Sequence, residues 1–216
     1  MRILFIGDSI TDAGRDRRNY HDLGRGYAVR TAKILTEEFP DTDFEFINMG
    51  ISANRTGQLF DRLYGDAIAF EPDVIVLLIG INDIGRRYKT GEKHIETSDG
   101  QLELNYRSIL IQLRKHTKAK ILMLSPFILD ADIKKLFVLT DESGEPMRSD
   151  VEKIIPTIKA LADEYADGFI PLKALFDEAM KTQPEPLYYS ADGIHPNENG
   201  AQFIARLCAD KLKTII

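Results

Sequence analysis

The chain has a single cysteine, Cys208, among 216 residues, so no disulfide can form within it and no cysteine pair is present to hold a metal. Its place in a C-terminal helical pattern reads as a small core residue. No segment reaches the ~18 consecutive uncharged apolar residues of a membrane span. Positive charge is in deficit, with 28 Lys and Arg against 34 Asp and Glu and a net charge of −6. Basic runs interleaved with aromatics are absent, which argues against binding to a phosphate backbone. Arg15, Arg17, Arg18 and Arg25 cluster locally, but Asp12, Asp16 and Asp22 dilute them. His-Glu-x-x-His and clustered histidines are missing, so neither metal nor cofactor is expected. Met1-Arg2 leads straight into an apolar strand without a charged leader, and the expected location is the cytoplasm. Repeats, linkers and low-complexity segments are lacking too, and 1–216 reads as one domain.

What is present is an alternation of strand and helix patterns. Residues 3–6 (Ile-Leu-Phe-Ile) and 73–79 (Asp-Val-Ile-Val-Leu-Leu-Ile) are nearly unbroken branched apolar runs, the mark of strands buried on both faces. Further strands are expected at 44–48, 120–125 and 168–172. Helices are expected at 27–39, 55–70, 101–116, 149–165, 173–181 and 199–213, from apolar residues spaced three and four apart. Two stretches break the rhythm, a charged one at 85–100 and one at 129–147 that is apolar for a loop. The latter carries Leu129, Ile133, Leu136, Phe137, Val138 and Leu139, following Phe127 and Ile128. Loops of this length tend to be functional, and their apolar content suits a site mouth or a contact between subunits. Five strands alternating with helices predict an α/β fold, a five-stranded parallel doubly wound sheet in a three-layer α/β/α sandwich of flavodoxin-like type.

In such a sheet, ligands bind beyond the carboxyl ends of the strands. Polar punctuation falls at those ends: Gly7-Asp8-Ser9-Ile10 after the first strand, Asn48-Met49-Gly50-Ile51-Ser52 after the second and Gly80-Ile81-Asn82-Asp83 after the third. Asp192-Gly193-Ile194-His195-Pro196 precedes the last helix. Taken singly, each could be an ordinary turn or helix cap. Together they supply one serine, one histidine with an aspartate three residues before it, and amide donors, the groups that ester hydrolysis requires. Of the other histidines, His116 suits a helix C-terminus, His94 lies in a charged loop and His21 in a solvated one.

These four blocks, in this order, resemble those of the SGNH (GDSL-like) hydrolase family; Ile10 stands where the family's name has Leu. The resemblance implies Ser9 as nucleophile, His195 as its general base and Asp192 as the residue that holds the imidazole. It implies an oxyanion hole from the backbone N–H groups of Ser9 and Gly50 and the side-chain amide of Asn82. Asp8 is expected to brace the serine turn, and Asp83 to be structural.

Within the family, residues 5–15, 79–83, Arg86-Arg87-Tyr88, Ser125-Pro126-Phe127 and Pro146-Met147-Arg148 are similar to intracellular carbohydrate acetyl esterases of the acetylxylan esterase type. That likeness implies hydrolysis of short acyl esters, above all O-acetyl groups on xylo-oligosaccharides. A polar rim of Asp12, Arg55, Arg87, Tyr88 and Tyr189 is expected to bind substrate and suits sugar hydroxyls better than a long acyl chain. The likeness also implies self-association into a homo-oligomer, with a small-molecule or oligosaccharide ester as the partner and neither nucleic acid nor membrane. A lysophospholipase or thioesterase of the same family is the alternative enzyme, and a non-catalytic carbohydrate-binding domain the alternative of another class.

Overall fold

The structure is a computed structural model that describes residues 1–90, 98–129 and 147–216, the side chains of residues 89 and 90 excepted. Five parallel strands, β1 (Arg2–Gly7), β2 (Glu45–Gly50), β3 (Val74–Leu78), β4 (Lys120–Leu124) and β5 (Gly168–Ile170), lie in the order β2-β1-β3-β4-β5. Strand order reverses at β1, where the chain leaves first to one side and later to the other. That is the switch point at which a doubly wound sheet opens a crevice. The central strands β1 and β3 have no side chain in contact with water over 3–6 and 74–78, as their unbroken apolar runs require.

Helices α2 (Tyr27–Glu38) and α8 (Glu198–Leu212) pack on each other, and α3 (Thr56–Asp66), α5 (Asp99–His116) and α6 (Met147–Tyr165) pack in series. A four-residue helix α1 (Ser9–Asp12) follows β1, α4 (Ile81–Thr90) follows β3, and α7 (Leu172–Thr182) follows β5. Cys208 is fully buried on α8. None of the helices described is long and apolar enough to cross a membrane.

The sheet and the order of its elements agree with the sequence pattern; several boundaries differ for identifiable reasons. The charged stretch expected at 85–100 is helical over its first part. Ile81, Ile84 and Tyr88 of α4 form a buried apolar line, spaced three and four apart, beneath an otherwise charged surface. The helix expected at 55–70 breaks at Ala67 and continues as a 3-10 turn over Ile68–Phe70. β5 stops at Ile170 because Pro171 is the N-cap of α7 and has no N–H for a ladder. Of the expected apolar loop, Phe127, Ile128 and Leu129 are buried, and Ile133, Leu136, Phe137, Val138 and Leu139 lie outside the described residues, as does His94.

Gly7 and Gly50 sit opposite each other in the β1–β2 register, and both places have no room for a side chain. A Cβ on Gly7 would fall 2.0 Å from the Leu78 carbonyl oxygen, and one on Gly50 would fall 2.2 Å from the Asp12 nitrogen. The strands can therefore end side by side, and α1 can fold tightly over β2.

Candidate active site

Ser9 is the first residue of α1, just beyond the carboxyl end of β1 at the switch point of the sheet. Its turn is braced by Asp8, the N-cap, whose Oδ1 accepts the Ile10 N–H at 3.0 Å. The other Asp8 oxygen is buried and makes no hydrogen bond among the described residues. Burial pushes this carboxyl up to about 7. Asp83 fills a comparable place after β3. Its carboxylate accepts the backbone N–H and hydroxyl of Thr56, the hydroxyl at 2.6 Å, and burial raises it to about 6.

The loop before α8 brings His195 to the serine across 186 residues of sequence. Ser9 Oγ lies 2.9 Å from His195 Nε2, and His195 Nδ1 lies 2.6 Å from Asp192 Oδ2. Because the carboxylate can only accept, Nδ1 carries the proton and Nε2 is left to accept the serine O–H. The Asp192 position is itself fixed: Oδ1 accepts the N–H groups of His195 at 2.7 Å and Ile194 at 3.0 Å. Gly193, with φ of +79°, provides the left-handed residue that closes this loop. Burial would raise the Asp192 carboxyl, but the His195 ring and the two backbone donors outweigh it and bring it down to about 2. Reciprocally, the hydrogen bond to Asp192 holds the His195 imidazole above its ordinary 6.5, against burial. Below the loop, Leu129 donates its N–H to the Gly193 carbonyl at 2.8 Å, so the segment after β4 supports it.

A second set of groups faces the serine from the ends of β2 and β3. Asn82 is the second residue of α4, and its Nδ2 donates to the Asn54 carbonyl at 3.1 Å, which fixes the plane of the amide. Residues 51–54 form a β-turn closed by the Asn54 N–H on the Ile51 carbonyl at 3.1 Å. Ala53, third in that turn, has φ of +67°, a conformation that favours glycine. Among the described residues its N–H makes no hydrogen bond. Arg62 of α3 ties these ends together: it donates to Asn54 Oδ1 at 2.8 Å, to the Met49 carbonyl at 2.7 Å and to the Gly7 carbonyl at 2.9 Å.

Two cavities meet at Ser9 and His195. The larger, about 470 Å³, is lined by Ser52, Ala53, Ile81, Asn82, Arg86 and Met147 among others; the smaller, about 260 Å³, is lined by Ile10, Ala13, Arg25, Gly26 and Tyr27 among others. Gly50 lines neither of them. Its N–H donates to Asn48 Oδ1 at 2.8 Å, inside the packing of α1 on β2. Ala53, three residues on, does line the larger cavity with Ser9, and its N–H has no partner among the described residues.

The expected sugar-binding rim is likewise placed elsewhere. Asp12 is buried, and its Oδ2 accepts from Arg17 at 2.5 Å and from the Ser52 N–H and hydroxyl at 2.9 and 3.0 Å, so it anchors the 51–54 turn. Arg87 pairs with Asp99 and Asp150, and the Tyr88 hydroxyl donates to Asp150 at 2.9 Å, which locks α4 to its neighbours. Tyr189 packs in an aromatic cluster with Phe176 and Phe203. Arg55 flanks the start of α3 and lines neither cavity. The signal that separates Arg86 from Arg87 is periodicity: Arg86 follows Asn82 by four and shares its face of α4, whereas Arg87 points away.

Residues 5–203 match the GDSL-like Lipase/Acylhydrolase family. An acetylxylan esterase of Geobacillus stearothermophilus is 32% identical over 212 residues, which cover 95% of this chain and 90% of that protein. The crystal structure of Axe2, an acetylxylan esterase from the same organism, superimposes with a TM-score of 0.82 at 30% identity, covering 97% of this chain and 92% of that one. Catalytic mutants of Axe2 replace one serine, one aspartate and one histidine, the last two three positions apart. An acetylxylan esterase of Xylanibacter ruminicola is 28% identical over 229 residues; the match takes in 99% of this chain but only 43% of that protein. This chain belongs to the GDSL-like lipase/acylhydrolase family and is a carboxylic ester hydrolase.

Proposed function

We propose that the enzyme removes O-acetyl groups from acetylated xylo-oligosaccharides, with Ser9 as nucleophile, His195 as general base and Asp192 as the group that orients it. The observation that carries this reading is the unbroken line Ser9 Oγ, His195 Nε2, His195 Nδ1, Asp192 Oδ2, at 2.9 and 2.6 Å. A serine hydroxyl is too weak an acid to attack unaided. As Oγ closes on the acetyl carbonyl carbon, its proton passes to Nε2, and the imidazolium formed is stabilised by Asp192. Charge on the former carbonyl oxygen meets the N–H groups of Ser9 and Ala53 and the free N–H of the Asn82 amide. His195 then returns its proton to the departing sugar oxygen, leaving an acetyl ester on Ser9. Water, deprotonated by the same imidazole, hydrolyses that ester and releases acetate.

Support for the acetyl sugar ester comes from the acetylxylan esterases to which the chain is similar along nearly its whole length. Acetate release from acetylated xylo-oligosaccharides, set beside a p-nitrophenyl ester series of rising acyl length, tests it. Activity is expected to be greatest at two carbons and to occur on the sugar. An optimum at eight carbons or beyond would instead favour the lysophospholipase or thioesterase alternative. Cytoplasmic location and self-association belong to the same reading, and cell fractionation and light scattering test them.

A further inference from the structure

The smaller cavity contains a charge that the reaction so far leaves without a task. It is bounded by Ser9, Ile10, Ala13, Gly26, Tyr27, His195 and by Arg25. Among the described residues no group accepts a hydrogen bond from the Arg25 side chain or pairs with it. Its neighbours Arg17 and Arg18 have carboxylate partners, Asp12 and Asp16. Arg25 is nonetheless held in place. Its N–H donates to the Ala13 carbonyl at 3.0 Å, and its guanidinium lies against Gly14, where a Cβ would come within 2.9 Å of Nη2. Gly14 has φ of +74°, and a Cβ on Gly26 would strike that of Ala13 at 2.6 Å. Small residues on both sides thus open the space in which this cation stands.

Which part of an ester reaches that space follows from the positions of the other groups. Ala53 and Asn82, the donors for the carbonyl oxygen, line the larger cavity and not this one. An acetyl methyl needs only a fraction of either volume. The alcohol oxygen must lie beside His195 Nε2 to receive its proton, and His195 borders both cavities. The smaller cavity is therefore open to the alcohol portion. A guanidinium fork matches a carboxylate through two parallel N–H donors, and the commonest carboxylate of a carbohydrate is that of a uronate.

We propose that Arg25 and the smaller cavity form a subsite for a carboxylate on the alcohol side of the ester, which makes acidic, uronate-bearing acetylated oligosaccharides preferred over neutral ones. This rests on the esterase reading above, and two aryl acetates separate the two ideas. 4-Acetoxybenzoate carries an anionic leaving group, and 4-acetoxybenzamide is its neutral counterpart of similar shape. The ratio of their kcat/KM values, anionic over neutral, is expected to fall about tenfold in Arg25→Met and to stay within about threefold of the wild-type ratio in Arg25→Lys. In the wild type the ratio is expected to decline with added sodium chloride, since the cation is solvent-exposed. A ratio that Arg25→Met leaves unmoved while phenyl acetate is still hydrolysed overturns the subsite alone. Failure to hydrolyse phenyl acetate at all overturns the esterase reading and the subsite with it.

Discussion

The Gly50 N–H points at its own strand neighbour, donating to Asn48 Oδ1 at 2.8 Å, while Asn48 Nδ2 donates to the Thr11 carbonyl at 2.7 Å. Gly50 thus serves close packing, and the proposed mechanism draws its oxyanion donors from Ala53 of the next turn and from Asn82, which line the cavity at Ser9. Asn82→Ala is expected to lower kcat on p-nitrophenyl acetate by about 10²–10³, with little change in KM, because the lost donor acts on charge that develops only in the transition state. Ala53→Gly keeps the N–H and relieves a left-handed conformation. It is expected to retain kcat within about threefold, with a melting temperature at or slightly above that of the wild type.

The Asp192–His195 hydrogen bond raises the imidazole pKa, so the base becomes available only above its ordinary 6.5. The kcat/KM profile should therefore rise with pH along a limb that lies above 6.5. Asp192→Asn withdraws the charge and the strong acceptor; kcat should fall by about 10²–10⁴, and the limb should move to lower pH. A profile with an unshifted limb would remove Asp192 from its assigned part.

Asp8 gives the opposite kind of pH dependence, on stability. Its folded-state pKa of about 7 lies above the 3.8 of an unperturbed carboxyl, so the folded chain holds a proton that the unfolded chain releases. The contribution of this group to stability is complete below about 3.8 and is lost as pH rises through about 7. Asp8→Asn keeps the cap to Ile10 and has nothing to ionise. Thermal melts from pH 4 to 8 should show the variant losing less stability than the wild type across that range, and gaining most relative to it at pH 8.

Arg62 lines neither cavity but holds Asn54, Met49 and Gly7, and through Asn54 it positions the Asn82 amide. Arg62→Met should lower both the melting temperature and kcat, the latter by at least tenfold. Arg62→Lys should recover stability more than kcat, since an ammonium cannot span three acceptors in one plane. Equal recovery of both would mean that the guanidinium only stabilises the fold.

The strands and the triad were legible because both leave strong local marks. Short, β-branched apolar runs such as 74–78 fit a strand buried on both faces better than a helix, and Asp192 and His195 share one short loop with a glycine between them. Ala53 was hidden because its function rests on a backbone N–H and a turn conformation, which its identity as alanine does not reveal, whereas Gly50 looked the part by composition. The expected rim residues were harder to place for a different reason. Asp12, Arg87 and Tyr88 are polar residues near the site in sequence, yet each is consumed by a partner that only the fold supplies: Arg17 and Ser52 for Asp12, Asp150 for the other two. Arg25 stands in the sequence as one of a local cluster of arginines, and only the fold shows that, among the described residues, it lacks the carboxylates that Arg17 and Arg18 have.

The central claim is that Ser9 is a nucleophile activated by His195, and reaction with a fluorophosphonate followed by peptide mass spectrometry tests it most directly. One phosphonyl adduct per chain is expected, located on Ser9, absent in Ser9→Ala and formed far more slowly in His195→Ala. An unlabelled wild-type protein, or an adduct on another residue that persists in Ser9→Ala, would contradict it.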